Sequence, residues 1–240
     1  MTYDLSKLLA QYNQLNLHEV IDHDKFNDFA IVHHSTSIEG STLTEVETRL
    51  LLDEGITPKG KPLIHSLMVK DHYDALKFVL DSATAKQPIT VEFIQQINAR
   101  VMKTNDKVIP YTQELVKRLD QSLPNAQTED EQFNLSFSAH FDLVSIHPFY
   151  DGNGRTSRLL MNYIQAYHGL PLAIVFKEDK ADYYVALQET RKQEDMQIFY
   201  TFMFGQYQKH LEQEITSYNE AMSQKAEPKK GKGSGYSLFF

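Results

Sequence analysis

Twelve residues, HPFYDGNGRTSR at positions 147–158, bring together one histidine, one aspartate, two glycines, an asparagine and two arginines. Gly152 and Gly154 allow backbone conformations and close approaches that a side chain would block. They stand just before a helical stretch, whose first N–H groups are unpaired and whose dipole favours an anion. Arg155 and Arg158 are three apart, hence on one face of that helix, and each offers a guanidinium fork to phosphate. Asp151 supplies a hard oxygen ligand, and magnesium takes only one or two such carboxylates when phosphates and water complete its shell. His147 is the natural group to accept a proton from an attacking hydroxyl near neutrality. Base, metal carboxylate, anion cradle and arginines add up to transfer of a phosphorus-containing group to a hydroxyl. Singly, each feature has a plain structural reading: a histidine before proline, a GxG turn, an arginine paired with a carboxylate. Their conjunction points to a phosphate site.

Helices must hold this turn, because helical periodicity dominates the chain and strand alternation is scarce. The segment 18–40 places Ile21, Phe26, Phe29 and Val32 on a broad stripe, with Gly40 as a stop. Thr44 and Glu47 stand at capping-box spacing ahead of a helix that closes at Gly55. Further helices are expected over about 63–83, from Thr90, after Pro110, and from roughly Glu131 into the motif, where Pro148 ends the last of these. An amphipathic helix follows the motif and stops at Gly169. LPLAIVF reads as a brief strand or a buried connector, and two more helices cover about 180–194 and 196–222. The expectation is one all-α domain, divided into an N-terminal helical region (1–62), a catalytic core (63–222) and a loose basic tail (223–240).

The chain has 240 residues, a net charge of −8 and 41% hydrophobic residues, enough for a real core. Nothing advertises nucleic acid or an anionic membrane as a partner, so phosphate binding must rest on a few placed cations. Cysteine is absent, which excludes disulfides and thiolate chemistry and fits a reducing compartment. Neither a secretory signal nor a membrane-spanning run stands out, and a cytoplasmic protein is expected. His18, His23, His33 and His34 read as surface residues of acidic helices, not as a metal cluster.

HPFYDGNGRTSR resembles, without mismatch, the signature HPFx(D/E)GNGRxxR of Fic-domain proteins. The flanks AHFDLVSI and LLMNYIQAYHGLP, and the later DYYVALQET, are also similar, so the resemblance covers roughly residues 64–207. It implies a Fic-type helical bundle that transfers AMP from ATP to a serine, threonine or tyrosine of a target protein. In that reading His147 deprotonates the target hydroxyl and Asp151 holds Mg²⁺ against the phosphates. Gly152, Asn153 and Gly154 form the anion hole, Arg155 grips the distal phosphates, and Phe149 buttresses the loop. Tyr183 and Tyr184 fall where the family covers the adenine, although they read equally well as core aromatics of an amphipathic helix.

Upstream, STSIEG at 35–40 resembles the inhibitory pattern (S/T)xxxE(G/N) of Fic proteins with an N-terminal inhibitory helix. Ser35 and Glu39 share one helical face. The resemblance implies that Glu39 reaches Arg158, removes it from the γ-phosphate and disfavours productive ATP. The family also clamps its target with a β-hairpin flap, for which residues 102–121 leave little room, so the flap is expected to be short or reduced to 108–112. Self-modification and homodimers are family expectations; the target protein is not legible. The alternatives are removal of AMP through Glu39, transfer of phosphate or another group, and a non-catalytic nucleotide-binding module.

Overall fold

Two capping boxes fix where helices begin. Thr44 accepts from the Glu47 N–H while the Glu47 carboxylate accepts from Thr44, and Thr128 and Glu131 repeat the arrangement. The computed structural model describes residues 3–17, 22–103 and 112–226. It contains α1 (Tyr3–Asn13), α2 (His23–Ile38), α3 (Glu45–Glu54), α4 (Leu63–Thr84), α5 (Val91–Met102), α6 (Thr112–Ser122), α7 (Glu129–Ile146), α8 (Asn153–His168), α9 (Lys180–Gln193) and α10 (Met196–Ala226). No strand occurs among the described residues, as an all-α bundle requires. α7 starts two residues before Glu131 because Thr128 is its cap. α10 continues beyond Met222 into the expected tail, whose remaining residues, 227–240, lie outside those described.

α8 is the central element and is buried on nearly every face, as expected of a helix enclosed by others. It packs against α4, α5 and α7 in one apolar cluster that includes Leu76, Ile94, Ile97, Leu143, Leu160 and Ile164. Truncating a residue such as Leu160, which is fully enclosed there, costs about 2–5 kcal/mol. A second cluster joins α1, α9 and α10 to the other side of α7 through Leu5, Leu9, Phe133, Phe137, Phe199 and Tyr207. The candidate turn is thus the N-terminal end of the most enclosed helix.

LPLAIVF is a buried connector. Side chains satisfy its backbone: Gln165 Oε1 accepts from Ala173 N at 2.8 Å, Asn162 Nδ2 donates to Ala173 O at 3.0 Å, and Gln206 Oε1 accepts from Phe176 N at 2.8 Å. His33 and His34 depart from the surface expectation. Both are buried, His34 with its ring against Phe176 and its Nδ1 accepting from Lys177 N at 3.2 Å. The connector covers His34, while His33 packs against the His34 ring and faces Thr48 of α3, its Nδ1 3.3 Å from Thr48 Oγ1; both contacts join separate elements. His23 pairs with Glu214 of α10 at 2.5 Å, and His18 and Ile21 lie outside the described residues. So does most of the expected flap, residues 104–111; Thr112, at its end, is the first residue of α6.

Candidate active site

The chain leaves α7 at His147, whose φ of +53° puts it in the left-handed region and turns the backbone out of the helix. Beyond that turn the side chains alternate between solvent and core. His147 is exposed, Pro148 and Phe149 are buried, and Tyr150 and Asp151 are exposed again. Phe149 belongs to the α4–α5–α7–α8 core. Asn153 locks the loop from within: its Oδ1 accepts from Phe149 N at 3.0 Å and its Nδ2 donates to Phe149 O at 2.8 Å. Such a ring satisfies two buried backbone groups with one side chain.

Gly152 has φ +78°, and a Cβ there would come within 2.7 Å of Met102 Cγ and 2.9 Å of Asn98 Nδ2. Glycine is required both by conformation and by space. A Cβ on Gly154 would stand 2.5 Å from Glu39 Oε1 and 3.3 Å from Arg158 Nη1. Gly154 is therefore what admits the Glu39 carboxylate to the N-terminus of α8.

The two arginines of the motif are both buried but face different partners. Arg155 turns to the end of α5, with Nη1 donating to Val101 O at 3.4 Å and Nη2 to Met102 Sδ at 2.9 Å. Arg158 turns to α2. Its Nε donates to Ser35 Oγ at 2.9 Å, and its Nη2 donates to Ser35 O at 3.1 Å and Glu39 Oε1 at 2.6 Å. The side chains of this ion pair are 4% (Arg158) and 27% (Glu39) exposed. Burial alone would raise the Glu39 carboxyl, but the charge and hydrogen bond of Arg158, aided by Arg155, hold it below the ordinary carboxylate range. Burial likewise opposes the Arg158 charge, and Glu39 restores it.

Tyr183 and Tyr184 separate in the structure. Tyr183 is 1% exposed, its hydroxyl 2.9 Å from His140 Nε2 and in contact with Arg158, whereas Tyr184 is 47% exposed. Burial pushes the Tyr183 hydroxyl up to about 12 and the His140 ring down to about 3, so both are neutral.

Three residues at the site carry no motif. His72 and His140 are neutral and buried beside the arginines; their place among apolar helix positions was the one available sign. Asn98 donates to Asp151 O at 3.0 Å and to Thr156 Oγ1 at 3.1 Å. A polar residue on the apolar stripe of Ile94, Ile97 and Val101 was the signal that could have found it.

Among the described residues no three His, Cys, Asp or Glu side chains gather to cage a metal. One exposed carboxylate, Asp151, is the donor set, which fits a magnesium ion held mainly by phosphates and water. A cavity of about 580 Å³ lies between α6 and the last turn of α7, lined by Glu114, Arg118, Asp142, Ser145 and Ile146, and it reaches the residues just before His147.

A glycine turn at a helix N-terminus, with an exposed histidine before it and two buried arginines after it, is an arrangement chemically suited to an anion within an all-helical domain. The model of the Fic/DOC family matches residues 63–165, and the chain belongs to that family. It is 32% identical over 182 residues to protein adenylyltransferase Fic of Nematostella vectensis, covering 67% of this chain and 43% of that protein. It is also 32% identical over 216 residues to protein adenylyltransferase fic-1 of Caenorhabditis elegans, covering 81% of this chain and 42% of that one. The chain thus spans under half the length of these relatives. A Fic-domain-containing signalling protein of Bacteroides thetaiotaomicron shares the fold, with a TM-score of 0.76 at 22% identity, covering 90% of this chain and 97% of that one.

Proposed function

We propose that this protein transfers AMP from ATP to a serine, threonine or tyrosine hydroxyl of a target protein, under restraint by its own α2. The observation that carries this reading is the Glu39 carboxylate held 2.6 Å from Arg158 at the glycine turn, where an anionic ligand would otherwise sit. An arginine this buried, beside a helix N-terminus, calls for an anion, and in this state the chain supplies one itself.

His147, exposed at the mouth of the turn, takes the proton of the target hydroxyl as that oxygen bonds to the α-phosphorus. The bond from the α-phosphorus to its bridging oxygen breaks, and pyrophosphate leaves. The N–H groups of the Gly152–Gly154 turn face the phosphate charge, and Asn153 keeps the turn in shape through Phe149. Arg155 and Arg158 hold the distal phosphates once Arg158 is free of Glu39. Asp151 would hold Mg²⁺, which supplies charge neutralisation on the phosphates. Tyr184, with its exposed ring, is the better placed of the two tyrosines to cover an adenine; Tyr183 supports it from the core.

In this reading residues 1–62 carry the restraint and 63–222 the transfer machinery. The cavity between α6 and α7 supports target docking close to His147. No helix among the described residues is long and apolar enough to cross a membrane, and the absence of cysteine suits the cytoplasm. Leu63, Ile64 and Leu67 form an exposed apolar strip at the start of α4, with Val46 and Ile56 also exposed on and just after α3. We assign this strip to a homodimer contact. Sedimentation should give a dimer that Leu63→Glu with Ile64→Glu converts to a monomer; an unchanged mass would remove the assignment.

Mass spectrometry tests the reaction itself. Glu39→Gly incubated with Mg²⁺ and ATP should add AMP to hydroxyl residues, its own or those of a lysate, and the Glu39→Gly/His147→Ala double variant should add none. An added phosphate in place of AMP would overturn the reading.

A further inference from the structure

The turn's grip on Asp151 comes from outside the motif. Asn98, on the buried face of α5, is 1% exposed and spends both Nδ2 protons on the turn, one on Asp151 O and one on Thr156 Oγ1. The next backbone N–H, that of Gly152, donates to the carboxylate Oδ1 of Asp151 at 2.5 Å. The Asp151–Gly152 peptide is therefore pinned at its oxygen by Asn98 and at its N–H by Asp151's own carboxylate. When that carboxylate turns to a metal ion, the N–H is released to the phosphates and Asn98 alone fixes the peptide plane. Gly152, at φ +78°, offers little resistance to a rotation of that plane once the oxygen loses its donor.

We propose that Asn98 is a positioning residue: by holding the Asp151 carbonyl it sets how tightly Asp151 binds the magnesium ion that accompanies ATP. The inference rests on the nucleotidyl-transfer reading above. The same contact explains why Met102 and Asn98 fill the space beside Gly152, since α5 must press on the turn to reach the carbonyl. Partners that orient a metal ligand change metal affinity when removed, by about ten-fold at the low end. The adenine side and the proton transfer at His147 are not touched by this hydrogen bond.

The test uses the full chain with Glu39→Gly as parent. Asn98→Leu keeps the volume and removes both donors; Asn98→Ser, which keeps polarity but falls short of the carbonyl, serves if the leucine variant does not fold. Calorimetric titration of Mn²⁺ into protein saturated with a non-hydrolysable ATP analogue reads metal affinity without turnover. Half-saturating Mg²⁺ and the KM for ATP at saturating Mg²⁺ are then read from transfer rates. The expected result is a metal Kd and a half-saturating Mg²⁺ raised about ten-fold, with KM for ATP changed less than two-fold. Thr156→Val, which removes only the second partner of Asn98, should leave the metal Kd within two-fold of the parent. An unchanged metal Kd, or equal losses in every constant, would overturn the proposal. A parent that bound no metal–nucleotide complex would defeat the function reading and this inference together, whereas a binding parent with indifferent Asn98 variants would defeat the inference alone.

Discussion

Glu39→Gly should weaken the fold and strengthen nucleotide binding at once. Arg158 would keep its bonds to Ser35 Oγ and O, at 2.9 and 3.1 Å, and lose the carboxylate at 2.6 Å. Removing one partner of a buried ion pair costs about 3–5 kcal/mol. The 27% exposure of Glu39 and the two surviving Ser35 bonds reduce that to about 2 kcal/mol. For a chain of this size the melting temperature should fall by about 4–8 °C. The same ~2 kcal/mol no longer opposes the distal phosphates, and at 1.4 kcal/mol per ten-fold it tightens Mg²⁺–ATP by about thirty-fold. Saturating nucleotide should then recover more melting temperature in the variant than in the wild type. Scanning fluorimetry with and without Mg²⁺–ATP, together with calorimetric Kd values, measures each quantity. A variant that melts lower but binds nucleotide no more tightly would refute the competition for Arg158 and leave the ion pair a purely structural contact.

Other consequences concern the loop and pH. Asn153→Ala leaves the N–H and carbonyl of Phe149 without partners in a buried loop, and the urea midpoint should report a loss of about 2–4 kcal/mol together with loss of transfer; an unaffected midpoint would mean the ring does not hold the loop. His33 and His34 are pushed down to about 4 and His140 to about 3, by burial first and by nearby Lys177 or Arg158 second. Their folded-state values lie below the ordinary 6.5, so the unfolded chain binds more protons in between. Their stability contribution is full above about pH 6.5 and is lost as pH falls toward 4. Urea midpoints should hold from pH 7.5 to about 6.5 and drop from there to pH 5, and a flat profile below 6.5 would contradict the burial of these rings. Glu39 titrates below the ordinary carboxylate range, so its stabilising pair with Arg158 is present above that range and lost only as pH falls through the depressed value; restraint by Glu39 should therefore be constant across the same interval.

What could be read from the sequence was local. Gly40, Gly55 and Gly169 ended their helices, Thr44 and Glu47 started one, and the turn of Gly152 and Gly154 announced an anion site, because each depends on backbone conformation within a few residues. The pairing of Ser35 and Glu39 with Arg158, across more than a hundred positions, was legible only through resemblance; no periodicity contains it. Contacts made by irregular backbone were out of reach. The connector that covers His34 and the α3 residue Thr48 that faces His33 turned two expected surface histidines into core residues, and the depth of the α9 packing buried Tyr183 while leaving its neighbour Tyr184 exposed. Asn98 stood in plain view as the polar residue on an apolar stripe, but its partner, a backbone carbonyl fifty-three positions away, is set by how α5 meets α8.

The most direct test of the central claim is to compare transfer of label from α-labelled and γ-labelled ATP, with Mg²⁺, by the wild type, Glu39→Gly and Glu39→Gly/His147→Ala. AMP transfer restrained by Glu39 puts label on protein from the α position only, weakly in the wild type, strongly in Glu39→Gly and not at all in the double variant. Label from the γ position, or α-label that survives the loss of His147, would contradict it.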